Sequence, residues 1–127
     1  MGFFSKFFKT DPEVDYQLAL RAESFDGDYK KAAWLYKKAA EAGHANAQFY
    51  LGFMLFRGKG VAENLPLALD YIKKAAEQNN FKAEFLLAEM YYSGEGVEKN
   101  IEEGDKWMAK FNKHGKDVDK LSFLKLT

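Results

Sequence analysis

The sequence predicts an all-α protein, a solenoid of three stacked helical hairpins closed by a short helix. Two observations predict it. The run Lys37-Lys38-Ala39-Ala40-Glu41 recurs as Lys73-Lys74-Ala75-Ala76-Glu77, an offset of 36 residues, and self-similarity at such a period marks a helical repeat array. The same offset relates Ala47 to Ala83, Leu51 to Leu87, Met54 to Met90, Gly58 to Gly94, Gly60 to Gly96, Val61 to Val97 and Asn64 to Asn100. Within each unit the apolar residues follow helical spacing, and no segment reads as a strand.

The opening segment, residues 1–10, stands apart. Taken as a helix, it places Phe3, Phe4, Phe7 and Phe8 in one arc and Ser5, Lys6, Lys9 and Thr10 in the opposite one. Four phenylalanines beside two cations suit an anchor for a membrane surface or for a partner's groove. The other reading is a cap folded back over the first repeat, and two lysines are weak attraction for anionic lipid, which favours the cap. Lys6 breaks the apolar run and no small-residue cleavage site follows, so the segment is not a secretory signal. It is not a myristoylation site, because Lys6 stands where that pattern wants Ser or Thr. No stretch approaches transmembrane length.

Residues 11–127 read as one domain, with repeats at about 11–46, 47–82 and 83–118 and a cap at 117–127. Helices are expected over 13–24, 28–42, 45–57, 65–78, 81–92 and 100–113, then a short one near 117–125. Asp28, Asn64 and Asn100 each precede a helix, where a side-chain oxygen can accept from a free first-turn amide. Pro66 sits early in its helix, where a missing donor does little harm. Gly43 ends a helix, and Gly58, Gly60, Gly94 and Gly96 suit the corner between the two helices of a repeat. Ala39, Ala40, Ala47, Ala75, Ala76 and Ala83 let neighbouring helices approach closely, as a stacked array requires. In the tail, Val118, Leu121 and Leu124 recur at three-residue steps. They are expected to cover Trp107 and Phe111, because a solenoid end must be covered; the alternative is pairing of two chains. A monomer or a weak homodimer is the expected state.

Composition narrows function. The 127 residues carry 19 Lys plus Arg against 19 Asp plus Glu, so no net charge gathers nucleic-acid phosphates. With no cysteine there is no disulfide, thiolate metal site or thiol nucleophile, and two histidines are too few for a histidine cage. No nucleophile elbow, phosphate-cradling glycine loop or paired-histidine helix occurs. Glu102-Glu103 and Asp117-Val118-Asp119 are carboxylate pairs at expected helix starts, where they complement the helix dipole. Neither a cofactor nor a metal is expected.

The run from Ala47-Gln48-Phe49-Tyr50-Leu51-Gly52 through Gly58-Lys59-Gly60-Val61 to Tyr71-Ile72-Lys73-Lys74-Ala75-Ala76-Glu77-Gln78 resembles the Sel-1-like repeat, a relative of the tetratricopeptide repeat. The third repeat resembles it through Ala83-Glu84-Phe85, Leu87, Gly94-Glu95-Gly96-Val97 and Trp107-Met108, but departs at Gly104 and Phe111-Asn112, as a terminal, partly capping copy would. The first, with Gly27-Asp28-Tyr29-Lys30-Lys31-Ala32, looks more like a plain tetratricopeptide corner. The resemblance covers about residues 13–115. It implies a right-handed superhelix and a non-enzymatic adaptor that holds a protein or peptide on the concave face lined by the first helix of each repeat. It also implies a structural, helix-terminal place for His44. A cysteine-rich branch of the family is linked with penicillin binding, and nothing of that branch carries over to a cysteine-free chain.

On helix 45–57, Ala47, Leu51 and Leu55 share one face, while Phe49, Phe53, Phe56 and Arg57 project from the other with Tyr50 at its edge. Phe49 is expected to be buried. Aromatics beside an arginine are the composition of binding hot spots, so Tyr50, Phe53, Phe56 and Arg57 are candidate contacts. Leu86, Glu89, Tyr92 and Ser93 follow 36 residues on and are expected to extend the same surface. The expected location is cytoplasmic, peripheral to a membrane if the Phe-rich segment inserts.

Overall fold

The computed structural model describes residues 10–115. Six α-helices follow in order, α1 Pro12–Arg21, α2 Tyr29–Glu41, α3 Ala45–Arg57, α4 Leu65–Glu77, α5 Phe81–Ser93 and α6 Ile101–His114, with no strand among the described residues. Each helix begins on a side chain that accepts a first-turn amide: Asp11, Asp28, His44, Asn64, Asn80 and Asn100. That single device starts every element. Pro12 and Pro66 occupy first-turn positions whose amides have no helical partner to lose.

The first helix departs from the expected 13–24. Its α-helical part ends at Arg21, and Ala22–Asp26 forms a wider π-turn. Gly27 closes the turn in the left-handed conformation, and the amide of Asp28 donates to Ala22 O at 2.9 Å. Within this turn Glu23 accepts the hydroxyl of Tyr36 at 2.7 Å. The expected helix at 117–125 and the expected cap over Trp107 and Phe111 lie outside the described residues.

The helices pair as α1/α2, α3/α4 and α5/α6, and α2/α3 and α4/α5 join one hairpin to the next. Ala19, Ala32, Ala39, Ala47, Ala68, Ala75 and Ala83 lie fully buried in these seams, where a methyl group keeps the axes close. Tyr36, Ile72, Leu87 and Met90 fill the wider spaces. At Gly60, with φ 79°, a Cβ would come 2.4 Å from the carbonyl oxygen of Tyr29, so the corner can pack on α2 only with glycine. Gly104 has a different reason. A Cβ there would meet the ring of Tyr92 at 2.5 Å. What reads in sequence as drift from alanine is a seat for an aromatic ring.

Polar rungs hold the hairpins in register. Gln48 on α3 is buried; its Nε2 donates to Ala40 O, and its Oε1 accepts from Gln78 Nε2 at 2.8 Å. Thirty-six residues on, Glu84 is fully buried on α5, and both its carboxylate oxygens accept from His114 Nδ1, at 2.8 and 2.9 Å. At the corners, His44 Nδ1 accepts from Ala47 N, which leaves Nε2 to donate to Glu13 at 2.7 Å. Asn80, in the next corner, accepts from Ala83 N and donates to Asn46 at 2.7 Å.

Candidate functional site

α3 and α5, the first helices of the second and third hairpins, leave a cavity of about 560 Å³ between them. Helical periodicity builds its walls. Phe49, Tyr50, Phe53 and Phe56 form one stripe on α3, and Phe85, Leu86, Glu89 and Ser93 form the matching stripe on α5. The opposite faces, with Ala47, Leu51, Ala83 and Leu87, are spent on the core. Met54 and Met90 close the floor, and Glu23, Lys59 and Glu95 stand around the mouth. The size falls in the range of ligand-binding clefts, about 300–1,000 Å³.

The aromatic rings are mutually ordered. Phe49 and Phe53 stack at 6.0 Å, Phe49 meets Tyr50 edge-on at 5.1 Å, and Tyr50 stacks on Tyr36 at 5.4 Å. Such packing limits the ring freedom that a binding partner would otherwise have to freeze. Lys82 Nζ donates to the Tyr50 hydroxyl at 2.7 Å and lies 5.0 Å from that ring's centroid. Behind this wall, burial pushes Tyr16 up to about 12. Burial, and then the hydrogen bond donated to Glu23, push Tyr36 higher still. Both phenols are therefore neutral at physiological pH. Around the mouth stand Glu23, Glu89, Glu95 and Lys59, whose ammonium lies 4.2 Å from the centroid of the Tyr29 ring.

Six of the eight sequence-derived surface residues meet here: Tyr50, Phe53, Phe56, Leu86, Glu89 and Ser93. Arg57 lies at the margin, its guanidinium 5.6 Å from the centroid of the Phe53 ring. Tyr92 is placed elsewhere. Its ring rests on Gly104 and its hydroxyl donates to Asp105 at 2.7 Å, so it packs between α5 and α6 rather than extending the surface. That bond holds its phenol protonated above the ordinary range. Ser93 does line the cavity. Phe49, expected to be buried, is 3% exposed and still presents ring surface to the cavity. Phe3, Phe4, Phe7 and Phe8 lie outside the described residues.

Sequence reasoning missed the charged mouth. Lys59 and Glu95 carried a usable signal, because they are the middle residues of the two Gly-x-Gly corners, 36 residues apart. Glu23 carried none, because the π-turn that presents it has no counterpart in the other repeats. His44 is a helix cap, and His114 is occupied by Glu84. Among the described residues no group of three or more His, Asp or Glu could hold a metal ion, and no helix is long and apolar enough to cross a membrane.

Comparison with known proteins adds to this geometry. A family model described as Sel1 repeat matches residues 15–44, 45–80 and 81–116. A Sel1 repeat protein from Oxalobacter formigenes superimposes with a TM-score of 0.78 at 33% identity, over 83% of this chain and 44% of its own. The protective antigen c5321 of uropathogenic Escherichia coli, described as having an SLR fold, matches with a TM-score of 0.78 at 31% identity, over 82% of this chain and 23% of its own. The chain thus spans less than half the length of these two proteins. Cysteine-rich protein B of Helicobacter pylori, at 23% identity and a TM-score of 0.67 over 94% of this chain and 97% of its own, shares the fold. No curated protein sequence matches the chain.

Proposed function

The chain belongs to the Sel1 repeat family, and from that premise we propose that it is a non-enzymatic interaction module that holds a segment of a partner protein in the cavity between α3 and α5. Proteins built from these repeats are generally protein–protein interaction modules. The observation that supports this cavity as the docking face is its apolar, ring-ordered wall left open beneath a charged mouth. A buried aromatic cluster with a polar rim is the arrangement from which binding hot spots are made. In this reading the segment's apolar side chains lie on Phe53, Phe56 and Leu86, while Glu89 and Arg57 set its direction.

The test is site-specific photo-crosslinking. A photoreactive side chain in place of Glu89 should join the partner covalently, whereas the same group in place of Lys74, exposed on α4, should not. Phe53→Ala should weaken capture by about thirtyfold or more, as for a central hot-spot residue. Undiminished capture by a folded Phe53→Ala chain, or equal labelling from position 74, would remove the cavity from consideration.

A further inference from the structure

The rim of the cavity is balanced in charge. The carboxylates of Glu23, Glu89 and Glu95 stand there with the ammonium of Lys59, and two further cations lie beside the wall, Arg57 against the Phe53 ring and Lys82 on the Tyr50 hydroxyl. Net charge therefore selects nothing. What separates the lining charges is how firmly each is held. Glu89, Glu95 and Lys59 are exposed to water, whereas Glu23 is half-buried and its Oε2 accepts the hydroxyl of Tyr36 at 2.7 Å. The Tyr36 ring is itself fully buried, stacked on Tyr50 at 5.4 Å and set against Tyr16 at 6.1 Å. Among the described residues Glu23 is also the one lining residue that the first hairpin supplies, presented by the π-turn Ala22–Asp26.

This carboxylate is held but not neutralised. Among the described residues no Lys, Arg or His pairs with Glu23. Burial keeps the Tyr36 phenol protonated, so the bond it donates brings no charge. A carboxylate has about four acceptor sites, and the phenol takes one. A segment lying on the Phe53, Phe56 and Leu86 wall covers Glu23, because all four line the same cavity. Taking a carboxylate out of water without an opposite charge is strongly unfavourable. The nearby ammonium groups are engaged on rings, Lys59 on Tyr29 and Lys82 on Tyr50.

We infer that Glu23 is the specificity-determining residue of the cavity, and that the segment it admits carries a Lys or Arg side chain, which pairs with Glu23 while neighbouring apolar residues settle on the wall. Tyr36 is the positioning residue that fixes the carboxylate. A carboxylate already fixed has little freedom left to lose on pairing, whereas Glu89 and Glu95 must first be ordered. The inference rests on the cavity being the docking face, and it adds the chemistry that this face accepts.

The experiment selects binders to the full chain from a randomised peptide library displayed on phage, with the Phe53→Ala chain as the counter-selection target. Peptides kept by the parent and lost by Phe53→Ala should share a Lys or Arg among apolar residues. One such peptide is then synthesised with its cation and with norleucine in that place. Both forms are titrated against the parent and against Glu23→Gln, whose amide oxygen can still accept from Tyr36. The parent should prefer the cationic form by about tenfold or more, as for a charge pair buried at an interface, and Glu23→Gln should abolish that preference. Glu89→Gln should change it by about threefold at most, the effect of an exposed pair. Tyr36→Phe keeps the charge and removes its anchor, so it should lower the preference without abolishing it.

A merely structural role for Glu23 would weaken both forms alike in Glu23→Gln and leave their ratio intact, and that result overturns the inference. So does a set of Phe53-dependent binders with no shared cation, in which case the cavity still docks an apolar segment. A preference that appears only in Lys59→Met would show that Lys59 leaves the Tyr29 ring to neutralise Glu23, and equally overturns it. The lack of any Phe53-dependent binder removes the docking face itself, and this inference with it.

Discussion

At the middle of the stack Gln78 donates to Gln48 across 2.8 Å, while at the last hairpin the same two positions hold His114 and Glu84. The corners repeat the contrast. Asn80 reaches Asn46 between the second and third hairpins, whereas His44 reaches Glu13 between the first and second. So does the core. Tyr36, whose hydroxyl donates to Glu23, is replaced 36 residues on by Ile72, equally buried and carrying no polar atom. One backbone register thus accepts two chemistries. The centre is held by amides and aliphatics, which are indifferent to ionisation, and both ends are held by groups that titrate. A buried carboxylate is tolerated only with its partner in place, so the ends are conditional where the centre is not.

The largest expected effect comes from breaking the terminal rung. His114→Ala removes the donor to a fully buried Glu84 and should cost about 3 kcal/mol, as loss of one partner from a buried pair does. Gln78→Ala removes a neutral donor and should cost about 1 kcal/mol. Urea unfolding reads the difference, and hydrogen exchange in α6 should accelerate only in the first variant. Equal losses would break the contrast between end and centre.

Next comes the first hairpin. Tyr36→Phe leaves the Glu23 carboxylate without the hydroxyl that binds it and should cost about 1.5 kcal/mol, in the range for hydrogen bonds to charged groups. The same substitution carries a pH signature. Tyr16 and Tyr36 both hold their protons more tightly in the fold than the ordinary phenol value of 10. Their contribution to stability is therefore fully present below pH 10 and is lost as pH rises through 10 toward 12. Stability plotted from pH 9 to 12 should fall less steeply for Tyr36→Phe than for the parent, with a residual slope from Tyr16. Parallel curves would show that the fold leaves Tyr36 unperturbed.

A transplant sharpens the contrast further. Glu84→Gln with His114→Gln gives the end the rung of the centre, an amide pair like Gln48–Gln78 in which each buried polar group can again find a partner. Stability should stay within about 1 kcal/mol of the parent, while each single substitution does worse. A double variant no better than His114→Ala would mean that α5 and α6 are too differently spaced for amides to meet.

What could be read in advance follows the same division. The helices, caps and corners are local, repeated and therefore legible: Asp28, Asn64 and Asn100 were readable as caps because a polar residue before an apolar stripe has one economical use. The cavity's apolar wall was legible from the face of helix 45–57 left over after Ala47, Leu51 and Leu55 are assigned to the core. The exceptions sit at the ends, where the repeat stops being a guide. The π-turn that presents Glu23 occurs in one repeat only. Tyr92 turns away from the cavity because Gly104, on another helix, makes room for its ring. Glu84 and His114 are thirty residues apart, and nothing local to either marks the pairing. Only the alignment of Gln48 with Glu84 and Gln78 with His114 does.

The smallest expected effect tests whether the first corner belongs with the conditional ends at all. His44→Asn copies the residue that caps the next corner, and asparagine is among the best caps, so the bond from the Ala47 amide should be kept. What is lost is the Nε2 contact with Glu13, a residue on the surface where ion pairs contribute little, and the packing of the imidazole on the Tyr16 ring, 4.6 Å between centroids, part of which the asparagine side chain keeps. Glu13 lies below the usual carboxylate range first because Gln17 donates to it and second because His44 does. A carboxylate depressed in this way adds stability above its unfolded value, and that stability is lost as pH falls through the folded one. The denaturation midpoint at pH 7 should therefore be nearly unchanged in His44→Asn, and the acid limb should be slightly shallower than the parent's, because Gln17 still holds Glu13. A large drop at pH 7 would mean that the His44 ring, through Glu13 and Tyr16 together, locks the first hairpin onto the second, and that the ends differ from each other as much as either differs from the centre.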